Sequence, residues 1–164
     1  ETYFEYLKLF LSSNILLVLG GQRRQDSVKN GLDALNKGTL FVAIHDAARP
    51  FPNKDIIKRG LEIVSKYGSA IPVLPIASTI KSVDDTGIIL NTIDRRGLVE
   101  AQTPQFFNLD MILNVHENID DLCTDDANMA ELAGNKIMTF EGDIINIKIT
   151  LQSDLKLAEK ILKG

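Results

Sequence analysis

An uninterrupted apolar run, Leu40–Ile44, leads directly into three polar residues, His45, Asp46 and Arg49. Pro50 follows at once, and a proline disfavours helical backbone at the residue before it. The run is therefore predicted to be a short strand that ends in a polar tip. A strand that is apolar on both faces is typical of the centre of a parallel sheet covered by helices. Ligands of such sheets bind beyond the carboxyl ends of the strands, where this polar tip lies.

The rest of the chain alternates between helical spacing and short apolar runs, which predicts an α/β fold with helices on both faces of a mostly parallel sheet. Helices are predicted over about 1–12, 26–36, 54–67, 109–118, 124–133 and 153–163, and further strands over 15–19, 70–76, 136–140 and 146–150. Asn53 and Gly68 are a suitable cap and stop for the helix over 54–67. Pro72 and Pro75 place the strand over 70–76 either away from ordinary central pairing or at a distortion of the sheet.

A β-hairpin is predicted where two runs, Thr79–Val83 and Ile88–Asp94, flank a turn at Asp84–Gly87. The segment over about 77–103 would leave the α/β body as a two-stranded arm. An isolated hairpin is only marginally stable in water. We therefore expect the arm to pack on a partner, most simply its counterpart in a homodimer.

The composition predicts a soluble globular protein and disfavours two classes of partner. Of the 164 residues, 45% are hydrophobic and 24% are charged. The net charge of -4 argues against a nucleic-acid partner, because binding a polyanion requires a basic surface. No apolar run is long enough to span a bilayer, and residues 1–5 lack the basic start of a secretory signal. The single cysteine, Cys123, forms no disulfide within the chain, so the cytoplasm is the expected compartment.

Two consecutive glycines, Gly20 and Gly21, separate the first predicted strand from the helix that follows it. Glycines let a ligand approach the backbone closely, and Asp26 or Ser27 would cap the helix and leave its N–H groups pointing into the crevice. A base or a phosphate would fit there. The residues alone favour the alternative, an ordinary strand-to-helix turn.

Two interpretations of Asp46 stay open on the residues alone. A carboxylate at the end of a buried strand is a suitable Mg²⁺ ligand for phosphate chemistry. Equally, Asp46 would serve as a structural carboxylate that pairs with Arg49 or caps a loop. His45 points to the opposite face of the strand and is expected to be a core histidine with satisfied hydrogen bonds, whereas His116 is expected to face solvent from a surface helix.

Several charged residues are interpreted from their positions. Arg49, Arg95 and Lys148 lie next to predicted strand ends, where phosphate oxygens would meet them. Arg23–Arg24 is expected to form a solvated face. Asp125–Asp126 is better explained by the start of a helix than by acid–base catalysis, because carboxylates are favoured at the positive end of the helix dipole.

Five ordered motifs connect these segments to a known family. They are Gly20–Val28, His45–Phe51, Thr103–Phe107, Thr124–Ala127 and Asn146–Thr150. In this order they resemble 2-C-methyl-D-erythritol 4-phosphate cytidylyltransferases, and the resemblance covers nearly the whole chain. It implies a three-layer, Rossmann-like α/β fold and the transfer of a cytidylyl group from CTP to a methylerythritol phosphate. The products would be a CDP-alcohol and pyrophosphate, in non-mevalonate isoprenoid synthesis.

The resemblance also implies roles for individual residues. Those implied to bind the nucleotide are Gly20, Gly21, Ser27, Asp46 and Lys148. Those implied to bind the sugar-alcohol phosphate are Ala47, Arg49, Thr79, Arg95 and Thr103. Of these, Thr79, Arg95 and Thr103 would hold the phosphate, in the family from the arm of the second subunit. Asp46 would hold Mg²⁺, and Asp46 and Lys148 would be the catalytic pair.

The family pattern and this chain differ at the amino terminus. Members begin with a strand and a Gly-rich loop that carries an Arg and a Lys, and residues 1–14 do not match it. We therefore expect residues 1–164 to be one nucleotidyltransferase-like domain that is incomplete at its amino terminus. These residues alone are then expected not to turn over CTP. Ribitol 5-phosphate cytidylyltransferase and a non-catalytic nucleotide-binding fragment are the alternatives, and a second enzyme domain after Gly164 stays an open possibility.

Overall fold

This computed structural model describes residues 15–163, which contain five helices and seven strands. The helices are α1 (Arg24–Asp33), α2 (Lys54–Tyr67), α3 (Leu109–Asn118), α4 (Asp126–Leu132) and α5 (Gln152–Lys163). The strands are β1 (Phe41–Ile44), β2 (Ser69–Pro75), β3 (Ile80–Val83), β4 (Ile89–Ile93), β5 (Val99–Ala101), β6 (Gln105–Asn108) and β7 (Thr139–Glu141). The helix predicted over 1–12 lies outside the described residues. Between residues 15 and 163, no helix is long and apolar enough to cross a membrane.

The main sheet has the strand order β1-β6-β2-β5, with β7 also paired to β2. Strand β6 runs antiparallel to both β1 and β2, and β5 is antiparallel to β2 as well. Only β7 pairs with β2 in parallel among the described strands. The α/β class is confirmed. The described strands form a mixed sheet, whereas the sequence favoured mostly parallel pairing, because β6 enters between β1 and β2 in the opposite direction to both.

Two adjacent phenylalanines of β6 fill the cores on opposite faces of the sheet. Successive side chains of a strand point to opposite faces. Phe106 packs in a cluster with Ile56 and Val64 of α2. Phe107 packs in the other cluster, whose buried residues come mainly from α1, α3 and α4 and are Leu32, Leu109, Ile112, Val115, Met129 and Ala130. Helices therefore cover both faces, as the three-layer prediction requires.

Helix α2 has the ends that the sequence predicts. The Asn53 side chain accepts a hydrogen bond from the backbone N–H of Ile56. Gly68 ends the helix in the left-handed conformation, with φ of 82°. Inside the helix, a Cβ at Gly60 would lie 2.2 Å from the ring of Phe106. The helix thus lies on the sheet at a distance that glycine alone permits.

Strand β2 changes its antiparallel partner at Pro72. Ser69 and Ala70 pair with β6, and Val73–Pro75 pairs with β5. Pro72 lies between the two pairings and contributes only its carbonyl, which accepts from Gln102 N–H at 2.8 Å. Of the two positions predicted for the proline-containing strand, the structure has the second, a central strand with a distortion.

Two predicted strands are wrong. Residues 15–19 have no regular secondary structure, and Leu16 and Leu19 are largely exposed. A continuous apolar run forms a strand only beside a partner, and within residues 15–163 no strand pairs with this one. Residues 146–150 form a loop because the side chain of Asn146 turns inward to donate to the Thr103 carbonyl at 2.8 Å.

The predicted arm is an exposed two-stranded hairpin of β3 and β4. Ile80 pairs with Ile93, and a register shift follows Ser82. At the base, the guanidinium of Arg95 donates to the carbonyl of Ala77. The arm is shorter than the predicted range of 77–103, because β5 returns to the main sheet.

Candidate active site

Asp46 lies just beyond the carboxyl end of β1, and three contacts fix it there. Its backbone N–H donates to Oγ1 of Thr103 at 3.0 Å. Its carboxylate Oδ2 lies 2.9 Å from Nζ of Lys148 and 3.7 Å from Nε of Arg49. The carboxylate is mostly buried, so these charges interact with less screening than they would on an open surface. Lys148, rather than Arg49, is its nearer cation.

Arg49 is a buried cation that holds the loop after β1 against residues 146–150. Only 7% of it is exposed. Its Nη1 donates to the Asn146 carbonyl at 2.8 Å, and its backbone N–H donates to the Asp46 carbonyl at 3.0 Å. Its Nε is buried and has no hydrogen-bond partner within the described part of the chain. The Nε of Arg49 therefore faces the Asp46 carboxylate at 3.7 Å as an ion pair without a hydrogen bond.

His45 is satisfied, as predicted, but it is exposed rather than part of the core. Its Nε2 lies 2.9 Å from the carbonyl of Arg49. Because a carbonyl only accepts, Nε2 carries the proton. In the neutral ring Nδ1 then accepts from the hydroxyl of Thr103, 3.0 Å away. Thr103 thus couples His45 to the backbone of Asp46 and uses its hydroxyl proton to do so.

A cavity of about 220 Å³ opens beside the Asp46 carboxylate. Its lining residues are Arg24, Asp46, Arg49, Ala101, Thr103, Gln105, Thr124, Asp125 and Lys148. The structure therefore brings Asp46, Arg49, Thr103 and Lys148 together, as the sequence predicts. Arg24 and Asp125 are the charged lining residues that sequence reasoning had placed elsewhere, on a solvated face and at a helix start.

The expectation that His116 faces solvent is wrong, because it is buried, whereas Arg24 is 40% exposed, as expected of a solvated face, but is also anchored to the protein. Both contact Asp126, a carboxylate with 0% exposure at the start of α4. His116 Nε2 lies 3.1 Å from its Oδ1, and Arg24 Nη2 lies 2.7 Å from its Oδ2. Burial raises the pKa of Asp126, but the bonds from His116 and Arg24 outweigh it and hold the pKa below the ordinary 3.8. The predicted helix start is right, since Asp125 caps α4 by accepting from Asn128 N–H at 2.8 Å.

The two-glycine turn is held by Ser27, whose Oγ accepts from Gly21 N–H at 2.9 Å and donates to the Arg23 carbonyl at 3.2 Å. A Cβ at Gly21 would lie 2.3 Å from Cβ of Asp26, so the turn requires glycine. Helix α1 begins earlier than predicted, at Arg24. Asp26 acts from within its first turn by accepting from Arg23 N–H at 3.0 Å, and bonding to Arg23 lowers the pKa of Asp26. Ser27 lines a separate, apolar groove between α1 and β1.

Comparison with known proteins places the chain in a family. Residues 2–164 match the family model described as 2-C-methyl-D-erythritol 4-phosphate cytidylyltransferase. The chain belongs to this family. A protein of that name from Clostridium botulinum is 43% identical over 150 residues, which cover 90% of this chain and 66% of the relative. One from Bacillus cereus is 37% identical over 166 residues, covering 98% of this chain and 73% of the relative.

Solved structures of methylerythritol phosphate cytidylyltransferases have the same fold. A 4-diphosphocytidyl-2C-methyl-D-erythritol synthase from Anaerococcus prevotii superposes with a TM-score of 0.85 and 27% identity, covering 99% of this chain and 74% of that one. A 2-C-methyl-D-erythritol 4-phosphate cytidylyltransferase from Thermus thermophilus gives 0.83 and 28%, covering 94% and 80%. The chain spans about two thirds of the length of the Clostridium relative. It spans a larger share of the two solved structures, 74% and 80% of their chains.

Three residues to which the family resemblance assigns substrate contacts lie outside the cavity. Ala47 is exposed next to Asp46. Thr79 and Arg95 lie at the base of the arm, also exposed. None of the three lines the cavity of Asp46 within the single described protomer.

The carboxylate of Asp46 is the ligand available for the metal ion that the cytidylyltransferase resemblance implies. Residues 15–163 contain no group of three or more histidine, cysteine or acidic side chains arranged for a metal ion. Mg²⁺ does not need such a group, because it often binds one or two carboxylates and takes its other ligands from water and substrate phosphates. Oδ2 of Asp46 contacts Lys148, and its other oxygen makes no protein hydrogen bond among the described residues. The donor set thus fits a one-carboxylate magnesium site.

Proposed function

We propose that the protein containing this chain transfers a cytidylyl group from CTP to 2-C-methyl-D-erythritol 4-phosphate, releasing pyrophosphate, in non-mevalonate isoprenoid synthesis. The observation that carries the proposal is the contact of Asp46, Lys148 and Arg49 beside a cavity at the carboxyl end of β1. This is the edge of an α/β sheet where ligands bind. Family membership supplies the substrate class.

The reaction is an in-line displacement at the α-phosphorus of CTP. An oxygen of the alcohol phosphate forms the new P–O bond, and the bond from the α-phosphorus to the oxygen bridging to the β-phosphorus breaks. Pyrophosphate leaves with the electron pair of that bond. Such a transfer is catalysed mainly by positioning the reactants and stabilising charge. Lys148 and Arg49 supply the positive charge, and Asp46 orients the reacting group. Asp46 would also hold Mg²⁺, which would supply neutralisation of phosphate charge.

The remaining residues of the proposal position the two substrates. Gly20, Gly21 and Ser27 receive the cytidine nucleotide at the turn before α1. Ala47, Arg49 and Thr103 contact the alcohol phosphate at the tip of β1. The Thr103 hydroxyl donates to His45, so Thr103 contributes by placing the Asp46 backbone and by lining the cavity.

A homodimer completes the proposed site. Thr79 and Arg95 are exposed on the arm and outside the cavity, so they reach the alcohol phosphate from a second copy of the chain. The arm has the apolar surface that such a contact needs, since Ile88, Ile89 and Leu90 are all more than half exposed. The single cysteine fits work in the reducing cytoplasm.

The test is an assay of the full-length gene product with CTP, Mg²⁺ and either 2-C-methyl-D-erythritol 4-phosphate or ribitol 5-phosphate. We expect pyrophosphate and the CDP-alcohol from the first substrate and at most about 1% of that rate from the second. Asp46→Asn should abolish the reaction, whereas Asp33→Asn, on the exposed face of α1, should not change it. Binding of CTP without product from either alcohol would overturn the proposal in favour of a nucleotide-binding protein.

A further inference from the structure

Arg24 forms part of the cavity wall that also contains Asp46 and Lys148. Its side chain is 40% exposed, yet its Nη2 is anchored to a carboxylate that is fully buried, that of Asp126. An arginine has five N–H donors in a planar fork. Among residues 15–163, its side chain makes a hydrogen bond only to Asp126. The anchored arginine therefore presents further donors beside the cavity.

The anchor is itself fixed from its other side. Oδ1 of Asp126 lies 3.1 Å from Nε2 of His116, whose side chain is only 1% exposed. The carboxylate thus has one partner for each oxygen, His116 from α3 and Arg24 from α1. Asp126 begins α4, so the three residues join three helices behind one wall of the cavity. Few rotamers of Arg24 satisfy this contact, and its orientation is set before any ligand binds.

The charge of the cavity favours an anion. Its lining contains three cations, Arg24, Arg49 and Lys148, and two carboxylates, Asp46 and Asp125. Each carboxylate has a partner in the protein, although one oxygen of Asp46 makes no hydrogen bond among the described residues. Asp46 contacts Lys148, and Asp125 accepts from Asn128 N–H and from Gln105 Nε2 at 2.8 Å each. Within residues 15–163 the remaining N–H donors of the Arg24 side chain have no partner, so they can bind oxygens of a ligand.

We infer that Arg24 is a further substrate-binding residue, which donates to an oxygen of the alcohol phosphate, and that Asp126 and His116 are the residues that position it. The inference rests on the proposed transferase function. Arg24 shares this cavity with Arg49 and Thr103 of the proposed alcohol phosphate site and with Asp46 and Lys148, which serve both substrates. Ser27, which serves the nucleotide alone, lines a different groove, and we therefore assign the alcohol phosphate as the ligand of Arg24.

The test compares the Michaelis constants of variants of the full-length gene product for each substrate. Arg24→Gln should raise the KM for 2-C-methyl-D-erythritol 4-phosphate at least about tenfold, the effect of one lost charge-assisted hydrogen bond. The KM for CTP should change less than about twofold. The KM of Arg24→Lys for the alcohol phosphate should lie between the values of the wild type and of Arg24→Gln. An ammonium keeps the charge but does not bond Asp126 and the substrate in one plane, as a guanidinium does. Arg59→Gln is the matched control, since its guanidinium is also partly exposed and paired with a carboxylate, that of Asp55, but lies outside the cavity.

Asp126→Asn tests the positioning role. In a protein that keeps Arg24, Asp126→Asn should raise the KM for the alcohol phosphate. The double variant Asp126→Asn, Arg24→Gln should have a KM less than about twofold above that of Arg24→Gln alone. If Asp126→Asn does not fold, as judged by circular dichroism, the Arg24 series decides alone. An unchanged KM for the alcohol phosphate in Arg24→Gln, or an equal rise in both KM values, would overturn the inference. An inactive wild-type enzyme would instead overturn the proposed function.

Discussion

The ammonium group of Lys148 lies 2.9 Å from Oδ2 of Asp46, although the two residues are far apart in the sequence. Lys148 belongs to a loop that is fastened to the tip of β1 by one backbone bond, from Ile149 N–H to the Ala48 carbonyl at 2.8 Å. Arg49 reinforces this junction by donating to the Asn146 carbonyl. The position of the proposed catalytic pair thus depends on how the loop over 146–150 docks on the strand end.

Lys148→Ala should lower kcat/KM by at least about a hundredfold, because it removes the cation nearest the Asp46 carboxylate and the reacting phosphates. The free energy of unfolding should change by less than about 1 kcal/mol, since nearly half of the Lys148 side chain is exposed. Lys156→Ala, an exposed lysine of α5, is the control and should leave both quantities unchanged. Pyrophosphate release and urea unfolding measure the two effects. A Lys148→Ala variant with normal turnover would contradict the catalytic role.

Ser27→Ala should weaken CTP binding roughly five- to tenfold. The Ser27 hydroxyl accepts a hydrogen bond from Gly21 N–H, and this bond stabilises the turn proposed to receive the nucleotide. Its loss should weaken binding by about 1 kcal/mol. Ser65→Ala removes a hydroxyl of α2 that bonds the Glu62 carbonyl far from this turn, and it should have no effect on CTP. Isothermal titration calorimetry gives both dissociation constants. Equal values for the two variants would count against a nucleotide site at the turn.

Glycine-to-alanine changes in two helices should have opposite effects on stability. In α2, Gly60→Ala places a methyl group 2.2 Å from the Phe106 ring and should cost about 1–3 kcal/mol by overpacking. In α1, Gly31→Ala meets nothing within 4 Å and should stabilise by about 0.5–1 kcal/mol, because alanine loses less backbone entropy. Thermal and urea unfolding would measure both. Destabilisation by Gly31→Ala would show that α1 lies against something at this position.

Asp126→Asn should destabilise the protein at neutral pH more than at acidic pH. The pKa of Asp126 in the folded chain is below 3.8, so its charge stabilises the fold above that pH, and the stabilisation is lost as the pH falls through the lowered pKa. Breaking the buried pairing should cost about 3 kcal/mol at pH 7. Urea unfolding between pH 7 and pH 3 would show the difference between variant and wild type shrink on acidification. The exposed Asp110→Asn is the control, and a constant difference would contradict the assignment.

Mixed dimers test whether the arm acts in a second subunit. Lys148→Ala and Arg95→Ala homodimers should each be nearly inactive. A heterodimer of the two should recover roughly half of the wild-type activity per dimer if the Arg95 of one copy serves the Lys148 site of the other. Differently tagged subunits, co-expressed and purified through both tags, give the sample. Activity no greater than in the parent variants would show that Arg95 acts within its own subunit or not at all.

Local chemistry predicted the parts of the fold whose signals lie within a few residues. Asn53 and Gly68 bound α2, and the turn at Asp84–Gly87 joins the two strands of the arm. The polar tip of β1 was predicted for the same reason, because the apolar run of the strand and the polar residues at its end follow one another in one short segment. The conformation of residues 15–19 was predicted wrongly. An apolar run indicates burial, but a strand also needs a neighbouring strand to pair with, and none of the described strands pairs with these residues.

The candidate site was predicted only in part, for a related reason. Asp46 and Arg49 follow the apolar run of β1, whereas the role of Lys148 comes from the family resemblance, because the strand predicted over 146–150 is a loop. Arg24 and His116 gave no such signal, because each sits on a helix whose polar residues usually face water. A buried partner from a third helix, Asp126, changes their surroundings, and only the tertiary fold brings it there.

Because Phe106 and Phe107 point to opposite faces of the sheet, the candidate site and both cores depend on the register of β6. A single-residue insertion or deletion just before Phe106 would turn each ring toward the opposite helices, because side chains alternate along a strand. The same slip would displace Thr103 from the Asp46 backbone. Insertions and deletions in β6 should therefore unfold the protein, whereas the exposed tip of the arm should tolerate changes in length.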